Sequence, residues 1–160
     1  MVRTKLRVAT VLLGSAGLTA ALAGPAVAAS TPSPSPRDEA LAAAIVEWFS
    51  DGGDTRISAL QTDFETIAKA ADAIDVPGVQ AGCATLGEDV GQAQQYDPLP
   101  DVEAQRHWAA ALDLYAQGAA DCVKGAETID GDLLAQANEE IMQGSAELTK
   151  ATERVEDILD

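Results

Sequence analysis

The sequence predicts an all-α protein, an up-down-up-down four-helix bundle with a short leading helix and one disulfide. Three observations lead there. Apolar residues recur at alternating spacings of three and four, as in Val79, Cys83, Leu86, Val90, Ala93 and again in Trp108, Leu112, Tyr115, Ala119, Cys122; this is the one-face signature of packed amphipathic helices. Both cysteines fall within that phase, so both thiols point into a core. Stripes of this spacing suit near-parallel helices in a left-handed bundle, and no longer internal repeat stands out.

The chain opens with Arg3, Lys5 and Arg7, an apolar stretch from Val8 to Ala23, and the small-residue pattern Ala26-Val27-Ala28. That order reads as a Sec-type signal peptide over residues 1–29, cleaved after Ala28 or Ala29. The apolar stretch is too short and too close to the cleavage site to serve as a membrane anchor. Pro25 follows Leu22-Ala23-Gly24 where a lipoprotein would carry its lipidated cysteine, so the mature chain is expected to be released to the extracellular space without a lipid or a membrane anchor. In that oxidising compartment Cys83 and Cys122 are expected to pair. Residues 30–37 form a Pro/Ser-rich linker, read as a disordered, polyproline-like tether whose hydroxyls also offer glycosylation sites. The bundle domain then occupies residues 38–160, and the roughly 130 residues of the mature chain suffice for one core.

Asp38 and Glu39 are expected to open the leading helix, with Leu41, Ile45, Trp48 and Phe49 on one face and Gly52-Gly53 ending it. The second helix is predicted from Asp54 or Thr55 to about Ile74, with Ile57, Leu60, Phe64, Ile67, Ala71 and Ile74 in phase and Glu65 and Lys69 as an i, i+4 pair. Pro77 suits the first turn of a third helix, because its missing N–H would be unpaired there. That helix should last to about Gln95. Asp97-Pro98-Leu99-Pro100 cannot continue it, and Asp101 is the predicted N-cap of a fourth helix from Val102 to Lys124, closed by Gly125. Asp130 or Asp132 caps the fifth, whose stripe runs Leu134, Ala137, Ile141, Gly144, Leu148, Ala151, Val155, Ile158.

At 1.5 Å per residue, Cys83 stands about 18 Å from the end of its helix and Cys122 about 30 Å from the start of its own. A disulfide between antiparallel neighbours therefore needs the Pro98–Pro100 loop to take up roughly 12 Å, which an extended chain can do. Gly144 costs about 1 kcal/mol of helix propensity relative to Ala. Its place in the stripe predicts that a ring of the fourth helix, Tyr115 or Trp108, fills the notch. Many Ala and Gly stripe positions imply close helices, a slim core and no large ligand cavity.

The stretch Leu99-Pro100-Asp101, Gln105, Trp108, Ala111-Leu112, Tyr115, Gly118-Ala119 and Asp121-Cys122, with Cys83 in the helix before it, resembles small secreted helical proteins and lipoproteins of actinobacteria. It covers the third and fourth helices best. The resemblance implies an exported helical fold and carries no activity with it.

The full chain holds 10 Lys and Arg against 26 Asp and Glu, a net charge of −16. Loss of the three leader cations on cleavage takes this to −19, which excludes nucleic acid and anionic lipid as partners, since both need a cationic footprint. A basic protein or an envelope component remains open. With a single histidine, His107, a two-His metal site and most imidazole relays are excluded, and its expected surroundings are a surface with Glu103 one turn back. The cysteines lack a CxxC spacing and read as structural.

Asp130-Gly131-Asp132 fails as a calcium loop because Leu134 and Ile141 stand where ligands are needed. Asp51 and Asp54 fit turn and cap roles. An all-helical mutase for dicarboxylates would need convergent cations, and Arg37, Arg56, Arg106 and Arg154 are scattered among acids. No catalytic residue, metal or cofactor is expected. The sequence thus reads as a secreted, acidic, non-enzymatic module with a binding or structural role. The alternative is a carrier of a small apolar ligand, lipid or haem, along a seam of Trp108, Tyr115, Met142 and Gly144, with His107 and Met142 as the haem ligands; an enzyme is the third reading.

Overall fold

The computed structural model describes residues 35–160. The signal-peptide reading of residues 1–29 and residues 30–34 of the linker lie outside the described residues. Among the described residues five α-helices carry the fold: α1 (Pro36–Trp48), α2 (Asp54–Asp72), α3 (Val76–Gln94), α4 (Val102–Thr128) and α5 (Gly131–Leu159). Helices α2 to α5 alternate in direction and pack in chain order, as an up-down-up-down bundle requires. Among the described residues there is no strand, and no helix is long and apolar enough to cross a membrane.

Helix α1 begins two residues earlier than the expected Asp38, because Ser35 and Asp38 cap each other. The Ser35 hydroxyl accepts from the Asp38 N–H at 3.3 Å, and the Asp38 carboxylate accepts from the Ser35 N–H at 3.0 Å. Two orphan donors are satisfied reciprocally, and Pro36 sits in the first turn where it loses no bond. Pro36 and Arg37 therefore belong to the helix and not to the linker. The helix then widens into a π-type turn over Phe49–Gly53, where Gly52 takes φ +139° and redirects the chain. Gly53 is buried under the Trp48 ring, so closely that a Cβ there would run into the ring.

Helices α2 and α4 end alike. After α2 the Ile74 N–H reaches Ala71 and the Asp75 N–H reaches Ala70; after α4 Ile129 reaches Ala126 and Asp130 reaches Gly125. Each is a Schellman turn with its left-handed position filled by isoleucine, at φ 55° and 54°. The following Asp75 or Asp130 caps the next helix. These turns correct two expectations. Ile74 leaves the core stripe and is 86% exposed. Gly125 does not close α4, which runs on to Thr128, because Gly125 is a contact residue: its bare α-carbon lets Leu134 of α5 in. A β-branched residue at positive φ costs roughly 1–2 kcal/mol relative to glycine, and the fold carries that strain twice at one end of the bundle.

Cys83 and Cys122 are bonded, with α-carbons 6.0 Å apart. The α3–α4 register is marked on either side by Gln94 donating to Asp113 and Gln80 donating to Glu127. Because Gln94 is level with Asp113, about three turns of α4 continue past the end of α3. The loop 95–101 covers this overhang: Leu99 is buried and its N–H donates to Gln105. Trp48 completes the lid, donating its indole N–H to the Asp97 carbonyl at 2.6 Å and meeting Trp108 edge-on at 6.0 Å. Tyr96 donates to the Trp48 carbonyl in return. Arg56 stacks on the Tyr96 ring, 3.7 Å from its centroid, closing this end with a cation–π contact.

Candidate functional site

The four seams of the bundle are not equivalent. Between α4 and α5 the helices touch through glycine: Gly118 receives Ile141, Gly125 receives Leu134, and Gly144 receives the Tyr115 ring, with an added Cβ at 144 falling 2.7 Å from that ring and 3.1 Å from the Ala111 carbonyl. Small residues at the contact let two helices approach closely. Between α2 and α5, by contrast, no pair of α-carbons comes within 8 Å. At the lid end α1 packs beside α5, with Trp48 and Phe49 among Ile57, Leu148, Ala151 and Val155; beyond that end the side is open.

The opening is a groove with two parts. Nearer the isoleucine turns it is a cleft of about 330 Å³, walled by Ile67, Ala71 and Ile74 on one side and Leu134, Ala137 and Ile141 on the other, with Val79 and Cys122 of the disulfide in its floor. Farther along, a shallower part of about 520 Å³ lies between Phe64 and the α5 residues Ser145, Leu148 and Thr152, over Tyr115. Phe64 and Tyr115 meet at a tilt of 59° with ring centroids 5.0 Å apart and hold α2 to the rest of the core. This corrects the expectation of a bundle without a sizeable cavity. Ala and Gly do draw helices together in the α2–α3, α3–α4 and α4–α5 seams, where Gly82 meets Ile67, Gly87 faces Ala119 and Gly118 meets Ile141, but α2 offers larger side chains and no glycine to α5.

Of the four predicted seam residues, Tyr115 and Gly144 meet. The Tyr115 hydroxyl donates to Ser145 at 3.2 Å, and burial raises its pKa above the usual tyrosine value. Trp108 is buried against Trp48 at the far end of the bundle. Met142 is 64% exposed, its sulfur accepting from the Asn138 amide. Two residues from Gly144 along a helix, it points some 200° away from the notch. No common ligand seam therefore forms from these four.

Polar pairs tie α4 to α5 at the lid end. Arg154 reaches both oxygens of Asp101 at 3.1 Å, while Asp101 also accepts from the N–H groups of Glu103 and Ala104 as the α4 N-cap. The Arg154 hydrogen bond leads the causes that hold the Asp101 carboxyl below its ordinary pKa. His107 is largely buried, and its partner is not Glu103: Nδ1 lies 2.6 Å from Glu147 across the seam and Nε2 lies 3.1 Å from Arg106. Lys150 first, and His107 next, hold Glu147 below the usual glutamate range. None of these long-range pairs has a local sequence signal, since the partners are 40 and 53 residues apart.

Two carboxylates are buried in helix seams. Glu140 accepts from Gln117 and Gln136 through one oxygen and leaves the other unpaired. Asp63 of α2 is 6% exposed and its Oδ2 has no partner. Burial first, and the facing Asp89 of α3 second, push its pKa up to about 6. Among the described residues no group of three or more His, Cys, Asp and Glu side chains is placed to hold a metal ion. Asp130 spends its carboxylate on the N–H groups of Asp132 and Leu133, as a helix cap does. No protein-family model, curated protein or solved structure matches this chain.

Proposed function

We propose that the protein acts outside the cytoplasm as an acidic, non-enzymatic helical module that binds through the groove between α2 and α5. The groove itself is the observation that carries this reading: Ile67 and Ile141 are only partly covered by their neighbours, Ala71 and Ile74 stand exposed in its wall, and exposed apolar surface in a groove marks binding. The leader-like sequence and the disulfide support export. Both cysteines are consumed by that bond, and both nitrogens of the one histidine are engaged with Glu147 and Arg106. These facts favour binding over catalysis.

A second reading, a carrier of a small apolar ligand, draws support from the cleft volume of about 330 Å³, at the lower end of small-ligand sites. Its haem version loses ground, since neither His107 nor Met142 lines either part of the groove.

Titration with the neutral apolar dye Nile red tests the shared claim. Wild type should bind it saturably with enhanced emission. Ala71→Arg, which places a long cationic side chain at an exposed position in the cleft wall, should weaken binding at least tenfold. Val46→Arg, at a half-exposed position on α1, should leave it unchanged. Absence of saturable binding by wild type, or equal binding by Ala71→Arg, would overturn the groove as the working surface.

A further inference from the structure

We infer that the occupant of the α2–α5 groove is a cationic amphipathic helix of a partner protein. This rests on the groove reading above and names its partner class. From Gln61 to Ile74 on α2 the two parts of the groove, which share no lining residue, together span roughly 20 Å, close to four helical turns. That is the shape a helix with apolar anchors at i, i+3/i+4 and i+7 fills. Carboxylates stand at both ends of the apolar surface: Asp75, whose carboxylate also caps α3 by accepting from the Gly78 N–H, at one, Glu153 and Glu156 at the other, and no Lys or Arg lines either part. Glu153 and Glu156 make no ion pair among the described residues. Lys or Arg flanking an apolar stripe would complement them.

The same charges disfavour the other occupants. A second copy would bring Asp75, Glu153 and Glu156 against themselves on a chain already at −16. A fatty acid or phospholipid would bring its own anion to these carboxylates and leave its chain wet along the open side. Ile74 sits in the cleft wall at φ 55° and 86% exposed, so its side chain is free to meet an occupant of the groove.

The test uses a fluorescein-labelled 18-residue peptide of Leu and Lys, with Leu at alternating three- and four-residue spacing, read by anisotropy in 150 mM salt. Binding is expected with Kd in the tens of micromolar (~10⁻⁵ M). A scrambled peptide of the same composition and a version with Glu for Lys should bind at least tenfold more weakly. Ile74→Gly should raise the thermal midpoint and yet weaken peptide binding at least fivefold, so that a folding defect cannot account for the loss. Glu153→Gln with Glu156→Gln should weaken it at least threefold, and the peptide should displace Nile red. Equal binding of the scrambled peptide, or no effect of Ile74→Gly, would overturn the proposal. If Nile red binds but the peptide neither binds nor displaces it, or if oleate or phosphatidylglycerol vesicles compete for the dye in its place, the partner class is wrong while the groove stands. Failure of both peptide and dye would remove the groove reading as well.

Discussion

Replacing Cys83 and Cys122 together by alanine is expected to lower stability by about 4 kcal/mol, the loop-closure entropy of a link spanning about 40 residues. For a domain of this size that is a fall of roughly 10–20 °C in thermal midpoint. The bridge joins α3 to α4 with a sequence separation of 39, and it lies between the Gln94–Asp113 and Gln80–Glu127 hydrogen bonds that mark the same register. Those polar pairs are exposed and contribute little. Without the bridge, the small residues of the α3–α4 seam must hold the register by packing alone. Thermal unfolding of the oxidised protein, the reduced protein and the double variant checks this. The last two should agree with each other, and a loss under about 1 kcal/mol would show that packing already fixes the helices.

Asp63→Asn is expected to stabilise the protein at neutral pH by an amount on the order of 3 kcal/mol. The folded pKa of Asp63, about 6, lies above its unfolded value near 3.8, so between those values the folded chain holds a proton that the unfolded chain has released. Stability from this group is therefore full below about pH 4 and lost as pH rises through 6. Asp101 acts in the opposite sense: its folded pKa is depressed, and its contribution is lost only as pH falls below the ordinary aspartate range. The two together predict that wild type is more stable at pH 5 than at pH 7. Asparagine at 63, buried without a charge to repel Asp89, should remove most of that difference. Unfolding by urea at pH 5 and pH 7 decides it; equal pH dependence in wild type and Asp63→Asn would show that Asp63 is ionised at no cost in the fold.

Much of the architecture was legible because it is periodic. Leu86, Val90 and Ala93 in α3, Leu112, Tyr115 and Ala119 in α4, and Ala137, Gly144 and Ala151 in α5 are buried in the phase their spacing predicts. The shared phase of Cys83 and Cys122 also led to their bond. Local chemistry misled in two places. Ser35-Pro36-Arg37-Asp38 carries a capping pair, but Pro36, following Pro32 and Pro34, reads as linker. Gly125 looks like a helix stop and is a packing notch, since glycine serves either purpose and only the presence of Leu134 opposite decides which.

The open seam was not legible for a different reason. Periodicity says which face of a helix is apolar, not which neighbour covers it. Ile67, Ala71 and Ile141 carry the same signature whether α2 packs on α5 or stands apart from it. The buried Asp63 and the His107–Glu147 pair were hidden likewise, each depending on a partner supplied by another helix.

The most direct test of the groove as the working surface is a ¹H–¹⁵N NMR titration of the protein with the Leu/Lys amphipathic peptide, read as amide shift changes along the chain. Changes should concentrate on residues 61–76 of α2 and the following turn and on residues 134–156 of α5, with α3 and the lid around Trp48 and Asp97 little affected. Changes confined to the outer faces of α3 and α4, or spread evenly over the acidic surface, would contradict it.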